Sequence, residues 1–342
     1  MVHQISAISA PAQNRETQQQ FELIFCYNGQ NLYSISKLAA ALINTRFEKY
    51  CSIFSLKQND LPNYLNSRAA NKFSIIAFSF NTPAFIETIP LLEKLKNIKN
   101  KIVIAGGPHI TALSIANFKF GIDVIFLGES EQTLHFFLED FFDNPKKIKE
   151  IYKTNEIINL DNYPPFAYNL GVITPIEIMR GCINNCAYCQ TPKLFKTVRF
   201  RSISSILPYL QYFLKTNRSF INFMAPIGNY YQRGDLIALE DLFKQTIQTT
   251  GLKICFGHFP SELYPTLVSE KFIGLINKYC SNKKIAIGFQ SAAPEILTLM
   301  RRNYISEQLI DILKICNNYS IIPIIDFMFG MPTETKTQRK ET

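Results

Sequence analysis

From Phe21 onward the chain alternates short apolar runs with longer segments whose apolar positions recur every three to four residues. The runs Glu22–Tyr27, Tyr50–Leu56, Phe73–Phe80, Lys101–Ala105 and Asp123–Leu127 predict strands. Segments near Leu32–Asn44, Asp60–Ala70, Ala84–Lys96, Thr111–Phe118 and Ser130–Phe142 predict helices between them. A run such as Ile75-Ile76-Ala77-Phe78 has no polar alternation, as expected of a strand covered on both faces. This βα repeat predicts an α/β fold built on a doubly wound parallel sheet, with ligands at the carboxyl ends of its strands.

The polar stretch Asp143-Asn144-Pro145-Lys146-Lys147 and then Leu160-Asp161-Asn162-Tyr163-Pro164-Pro165-Phe166 interrupt the pattern, since paired prolines break regular elements. Alternation then resumes, with strands near Pro175–Met179, Phe220–Met224, Lys253–Phe256, Lys284–Gly288 and Ile322–Phe327. Helices such as Ser204–Lys215 and Leu236–Thr249 fall between them. The expected organisation is a disordered polar leader over 1–20, a first domain over 21–142, a linker over 143–170 and a second domain over 171–342.

Composition narrows the function classes. No apolar run approaches the ~18 residues of a membrane span, and residues 1–20 lack the apolar core of a secretory signal. Eight cysteines in 342 residues do not suggest a disulfide scaffold, so a cytoplasmic protein is expected. The 36 Lys and Arg against 27 Asp and Glu give a net charge of +9. These lysines are dispersed, and no clustered basic helix supports a nucleic-acid face over a solvated basic surface. No G-x-G-x-x-G or phosphate-binding loop follows the first strand, which removes the main support for nicotinamide or nucleoside triphosphate chemistry.

The most informative stretch is Gly181-Cys182-Ile183-Asn184-Asn185-Cys186-Ala187-Tyr188-Cys189, directly after the first strand of the second half. Three thiols on a pliant Gly/Asn loop can face one centre. Three readings stand side by side. Three thiolates hold three irons of a [4Fe–4S] cluster and leave the fourth open to an exogenous ligand. A zinc site ordinarily takes four protein ligands, yet the four histidines, His3, His109, His135 and His258, lie elsewhere. The third reading is three inert thiols, as expected for Cys26, Cys51, Cys255, Cys280 and Cys316 in their apolar contexts.

With Tyr188 before the third cysteine, Cys182-x3-Cys186-x2-Cys189 resembles the signature of the radical S-adenosylmethionine superfamily. The resemblance implies a [4Fe–4S] cluster on these cysteines and S-adenosylmethionine chelated to the open iron. One electron then cleaves the sulfonium to a 5′-deoxyadenosyl radical, which abstracts a substrate hydrogen. It implies an electron donor such as ferredoxin or flavodoxin, a small-molecule or otherwise unknown substrate, and an adenine contact for Tyr188. Ile287-Gly288-Phe289-Gln290-Ser291 resembles the family's fourth-strand end, which implies cofactor contacts for Gln290 and Ser291. Asp326-Phe327-Met328-Phe329-Gly330-Met331-Pro332-Thr333-Glu334-Thr335 resembles its G-x-P-G-E-T signature, with Thr333 where glycine is usual, and implies a contact at Gly330. Arg199 and Arg201 follow the cluster loop as in many members, although a solvated basic strand reads equally well. The family's small G-G-E is replaced by Phe223-Met224-Ala225-Pro226-Ile227-Gly228-Asn229, which leaves the partner of the S-adenosylmethionine amino end unassigned.

In the first half, Ala105-Gly106-Gly107-Pro108-His109 and Gly128-Glu129-Ser130-Glu131 resemble the Rossmann-like cobalamin-binding domain fused ahead of the barrel in one subgroup. That implies cobalamin contacts from Gly106, Gly107, His109, Gly128 and Glu129, although Gly128-Glu129 also reads as an ordinary strand-to-helix turn, and His109 as a helix cap. The loop that would supply a cobalt-binding histidine reads Tyr27-Asn28-Gly29-Gln30-Asn31-Leu32, without one. Tyr163-Pro164-Pro165-Phe166 and His258-Phe259-Pro260-Ser261-Glu262 resemble an uncharacterised archaeal and bacterial branch of that subgroup. His258 and Glu262, on a loop facing the expected site, are the candidates for proton transfer or substrate contact.

The implied second domain is a partial (β/α)6 barrel, because Thr335–Thr342 reads as the first turns of a fifth helix. A fragment, a frame-disrupted product or a protein completed by a partner each account for this. The expected function is a radical S-adenosylmethionine enzyme, with cobalamin-dependent methyl transfer as its extension. The alternatives are an RNA-modifying methylthiotransferase-like enzyme and a non-catalytic cobalamin- or metal-binding protein.

Overall fold

The computed structural model describes residues 21–67, 72–113 and 119–342. They divide into two compact units, residues up to 158 with 162–174, and 159–161 with 175–342. The expected leader over 1–20 lies outside the described residues, as does most of the far end of the helix expected over Thr111–Phe118.

In the first unit the elements run β1 (Phe21–Tyr27), α1 (Leu32–Ala40), α2 (Phe47–Tyr50), β2 (Cys51–Lys57), α3 (Leu61–Ser67), β3 (Phe73–Ser79), α4 (Thr82–Leu95), β4 (Lys101–Gly106), α5 (Pro108–Ala112), β5 (Val124–Leu127), α6 (Glu131–Asp143) and β6 (Ile151–Lys153). All six strands pair in parallel, in the order β2-β1-β3-β4-β5-β6. The order reverses between β1 and β3, which is where such sheets open a ligand crevice. Phe25, Ala77, Ile104 and Phe126 belong to the core on one face, with Leu134 and Phe137 of α6. Ile24, Ile76, Val103 and Ile125 belong to the core on the other, with Leu92 and Leu95 of α4. Burial on both faces is why these strands lack polar alternation.

Two departures from the sequence pattern have local causes. β6 falls inside the stretch read as linker, and its exposed-buried-exposed triplet is too short to register as a period. Residues 162–174 return to the first unit because Ser36 Oγ donates to Val172 O at 2.8 Å and accepts from Ala167 N at 3.1 Å.

The second unit runs β7 (Ile176–Glu177), β8 (Met179–Arg180), α7 (Thr191–Leu194), β9 (Arg199–Phe200), α8 (Ile203–Leu214), β10 (Phe220–Met224), α9 (Leu236–Thr250), β11 (Lys253–Cys255), α10 (Glu270–Tyr279), β12 (Lys284–Gln290), α11 (Pro294–Leu299), α12 (Glu307–Asn318), β13 (Ile322–Phe327) and α13 (Lys336–Glu341). β10 pairs in parallel with β7 and β11, and β12 with β13. Parallel bridges Ile254↔Cys280 and Leu263↔Ile287 carry the ladder from the β11 side to β12. Phe223 and Phe256 pack on Phe243 of α9, so the alternate residues Asn222 and Met224 occupy the strand face away from that helix. α13 opens with a capping box in which Thr335 and Gln338 satisfy each other's backbone N–H, matching the helix start expected at Thr335. No helix among the described residues is long and apolar enough to cross a membrane.

Gly107 is fixed by sterics. It has φ +96°, and a Cβ there would lie 2.7 Å from Phe80 O and 2.8 Å from Phe80 N. Gly29 has nothing within 4 Å of such a Cβ. Gly107→Ala is therefore expected to lower unfolding stability by about 1–3 kcal/mol, and Gly29→Ala to stay within about 0.5 kcal/mol, in urea unfolding. Equal midpoints for the two variants would contradict this.

Candidate functional site

The cysteine loop is held at both ends by backbone geometry. Just before it, β8 and β9 pair antiparallel, Arg180 opposite Arg199. Gly181 then turns with φ +84°, where a Cβ would come within 2.4 Å of Thr197 O, so only glycine passes. Inside the loop Asn184 N donates to Cys182 Sγ at 3.4 Å and Cys189 N to Cys186 O at 3.1 Å. Ala187 N donates to Met300 O at 3.0 Å, fastening the middle of the loop to the turn after α11.

Beneath the loop lies a buried ionic base. Glu177 takes Arg180 in two hydrogen bonds, Nε to Oε1 at 3.0 Å and NH2 to Oε2 at 2.7 Å. Arg201 is 3% exposed and donates through Nε to Glu177 O. The solvated-strand reading of Arg201 is thereby corrected: this arginine is interior and structural.

Cys186 is buried, and Cys182 and Cys189 are half-buried. Burial raises the Cys182 thiol, Asn184 N–H pulls it down, Cys186 and Cys189 raise it further, and Arg302 lowers it. The three thiols thus share one electrostatic neighbourhood. Among the described residues no three His, Cys, Asp or Glu side chains converge as the ligands of a single ion. A cuboidal cluster takes one thiolate at each of three neighbouring irons, so its ligand sulfurs surround one centre at a wider spacing than the ligands of a single ion. By contrast, burial alone raises Cys26 and Cys316. It also leads for Cys51 and Cys280.

The remaining candidates of the second unit separate into two groups. Tyr188 is 38% exposed on the cysteine loop. Gln290 has φ +75° at a break in the β12–β13 register, and its Nε2 would stand 2.9 Å from a Cβ at Gly288. Gly330 has φ +83° and donates its N–H to Glu334 Oε2. Thr333 has φ +70°, which explains why glycine suits that position. Ser291 is fully buried, bonded to Thr342 Oγ1 at 2.8 Å and accepting from Ala293 N at 3.1 Å, so its hydroxyl serves packing.

His258 Nδ1 contacts Phe259 O at 2.9 Å. Burial pushes Glu262 above its ordinary value; its own backbone N–H opposes, Asp326 adds to the rise and His258 counters it. Asp326, opposite Gly288 in the ladder, was not singled out from the sequence, because inside the G-x-P-G-E-T signature it reads as strand. The loop Ala225–Asn229, standing where G-G-E is expected, is stitched to the His258–Tyr264 segment. Ala225 N donates to Pro260 O, Gly228 N to Glu262 O, and Asn229 Nδ2 to Tyr264 O.

Arg302 was also missed. Its guanidinium lies 5.0 Å from the Tyr264 ring centre, 5.5 Å from Tyr304 and 5.9 Å from Tyr188. The only sequence signal was one arginine of a pair beside a tyrosine in Met300-Arg301-Arg302-Asn303-Tyr304.

The first unit carries the other set. Gly107 is explained by its approach to Phe80. His109 is buried, with Nδ1 3.1 Å from Thr82 Oγ1 and its ring stacked 4.1 Å from Phe85. Gly128 N donates to Thr111 Oγ1 at 3.1 Å. Glu129 is half-buried in the turn before α6. A small, mostly apolar cavity opens at this end of the sheet, lined by Phe25, Ala77, Ile104, Gly106, Phe126 and Ser130 among others. Beside it, Asn31 Nδ2 donates to both Cys26 O and Ser79 O, tying the ends of β1 and β3 across the reversal point.

Residues 176–342 match the family model described as the radical SAM superfamily. A Methanocaldococcus jannaschii protein provisionally named a methylthiotransferase is 24% identical over 295 residues, covering 78% of this chain and 63% of its own length. A tRNA-2-methylthio-N(6)-dimethylallyladenosine synthase of Syntrophobacter fumaroxidans is 29% identical over 180 residues, 50% of this chain and 38% of its own. The solved cobalamin-dependent S-adenosylmethionine radical enzyme OxsB, with aqua-cobalamin and S-adenosylmethionine bound, superposes with a TM-score of 0.70 at 16% identity. That match covers 95% of this chain and 51% of OxsB, and at this identity it shows the fold alone. The chain spans less than two thirds of the length of these relatives.

The raised Glu262 value has a sign that can be checked. The folded state holds this proton more tightly than the unfolded chain, whose ordinary value is 4.5. Stability should therefore fall as pH rises from there through the folded value. Glu262→Gln is expected to match the wild type at acid pH and to exceed it near neutrality in urea unfolding. Parallel profiles would show that the carboxyl is not perturbed.

Proposed function

We propose, from the radical SAM domain that residues 176–342 form, that the chain is a radical S-adenosylmethionine enzyme whose Cys182, Cys186 and Cys189 hold a [4Fe–4S] cluster. The observation that carries this is three cysteines on one short loop that passes close to Thr197 and is hydrogen-bonded to Met300 O, with the three thiols acting on one another's charge. That donor set fits a cluster with one open iron better than a closed zinc site. Bound there, the cluster supplies one electron to cleave S-adenosylmethionine to methionine and a 5′-deoxyadenosyl radical.

The chain's own residues bind and orient. Gly181 lets the loop turn back on Thr197, and the Ala187–Met300 hydrogen bond sets the height of Tyr188, whose half-open ring offers a flat surface to an adenine. Gln290, turned by its positive φ, brings an amide to the carboxyl end of β12. Burial, reinforced by Asp326 and opposed by its own backbone N–H and His258, makes the Glu262 carboxyl bind a proton more readily than an exposed one, where a substrate's polar group would meet it. The electron arrives from a carrier such as a ferredoxin or flavodoxin.

In the first unit, cobalamin is the cofactor this reading adds. The OxsB structure carries aqua-cobalamin, and the small apolar cavity beside Gly106 and Ser130, about 280 Å³ of empty space, marks the carboxyl ends of β1, β3, β4 and β5 as the edge such a group would approach without enclosing its ring. His109 is oriented by Thr82 through Nδ1 and by stacking on Phe85. The substrate reading that a specific observation favours is modification of an RNA, from the tRNA-modifying relative. RNA retention that weakens steeply with salt would support it.

After anaerobic reconstitution with iron and sulfide, about four irons per chain and a reduced-state spin spectrum that shifts with S-adenosylmethionine are expected. Cys186→Ala should lose the cluster; full iron content in that variant overturns the ligand assignment. Gly106→Ala places a methyl 3.4 Å from Phe126 Cβ, a contact the fold tolerates, at the wall of the cavity. It is expected to weaken aquocobalamin binding about tenfold in an absorbance titration. Unchanged affinity would put the cofactor elsewhere.

A further inference from the structure

Arg302 is a half-buried cation held by a backbone carbonyl and aromatic rings and, among the described residues, by no carboxylate. Arg180 is paired with Glu177, and Arg201 is bonded to the Glu177 carbonyl and feels the Glu177 and Asp161 charges. No carboxylate pairs with Arg302 among the described residues. Its NH2 donates to Gly288 O at 2.9 Å, while its Nε is buried without a hydrogen-bond partner. A buried donor left open is costly unless some acceptor arrives.

The position is held firmly. Three tyrosine rings surround the guanidinium. Tyr264 donates from its hydroxyl to Asn303 Oδ1 at 2.9 Å, and Tyr304 from its own to Phe289 O. The third ring, Tyr188, belongs to the cysteine loop itself, and Met300, two residues before Arg302, accepts the loop's Ala187 N–H. The cysteine loop and the arginine are thus built onto the same turn. The guanidinium sits 5.9 Å from the ring of Tyr188, the residue between Ala187 and the third cysteine, and the directions in which Arg302 and the cysteines act on one another agree with that proximity.

We propose that Arg302 is a positioning residue whose caged charge and open Nε–H stabilise negative charge on the cluster side of the three cysteines and thereby raise the reduction potential of the bound cluster. This rests on the cysteines holding that cluster. Net charge and hydrogen bonds to sulfur are among the quantities that set such potentials. In the step concerned, the oxidised [4Fe–4S]2+ core takes one electron from an external donor and becomes [4Fe–4S]+, with no bond made or broken. A neighbouring cation favours the more negative, reduced form.

The test is a redox titration of the reconstituted full chain, followed by its spin spectrum, for the wild type, Arg302→Gln and Arg302→Lys. In Arg302→Gln the reduction equilibrium is expected to fall about tenfold, a shift of about 59 mV to more negative potential for a one-electron couple. Arg302→Lys, which keeps the charge, should stay close to the wild type. A loaded Arg302→Gln cluster at the wild-type potential overturns the inference while leaving the cluster reading intact. So does a lysine variant shifted as far as the glutamine one. If glutamine prevents loading, Arg302 serves assembly of the site and the inference that it sets the potential is overturned. Failure of both variants to load overturns it in the same way. A wild-type chain that takes up no iron overturns the cluster reading, and this inference with it.

Discussion

The bidentate pair between Glu177 and Arg180 is the interaction on which the second unit's site depends. Both side chains are almost wholly interior, and removing one partner of such a pair typically costs about 3–5 kcal/mol because the other charge stays buried and unmatched. Glu177 ends the first strand and Arg180 immediately precedes Gly181, so the pair fixes where the strand stops and in which direction the cysteine loop leaves. Arg201 closes the arrangement from the far side of the loop by binding the Glu177 carbonyl. The loop's entry and exit therefore meet at one carboxylate residue.

Around that anchor, the unit solves a recurrent problem of parallel α/β architecture. Ligand-binding loops must be irregular enough to present their side chains, yet rigid enough to keep them placed. Here the irregular segments brace one another. The loop after β10 hydrogen-bonds to the segment between β11 and the 263 bridge, and the cysteine loop hydrogen-bonds to the turn after α11. Gly228 permits the first of these contacts, since a Cβ there would lie 2.4 Å from Ser261 O. What stands in place of the family's G-G-E is thus a tightly packed loop joint.

The sequence revealed most of the architecture because long parallel strands carry a loud signal: ten of the strands are visible as apolar runs. β6 was hidden by its three-residue length, and β8 and β9 by having only two residues each. The cysteine triplet was legible because its spacing is local. Arg302 was not, because its partners Tyr188, Tyr264 and Tyr304 lie up to 114 positions away in sequence, and only folding places them around one guanidinium. Asp326 was invisible for the same reason, since its meaning comes from Glu262 on another segment. Ser291 and His109 show the converse: polar residues at loci where ligands are expected, whose hydroxyl and Nδ1 already have partners within the fold.

The clasp at Asn31 also bears on how the first unit ages chemically. Asparagine is among the thermally labile residues, losing its side-chain amide to become aspartate. Asn28, followed by the exposed Gly29, uses only its Oδ1, as acceptor from Gln30 N and Asn31 N, and an aspartate would keep both bonds. Asn31 uses its Nδ2 as donor to the carbonyls of Cys26 and Ser79. Deamidation there would set a carboxylate oxygen against two carbonyl oxygens in a buried position and part the two strand ends. Conversion of the first asparagine to aspartate leaves its hydrogen bonds in place, whereas the same change three residues on removes the two that hold the strand ends.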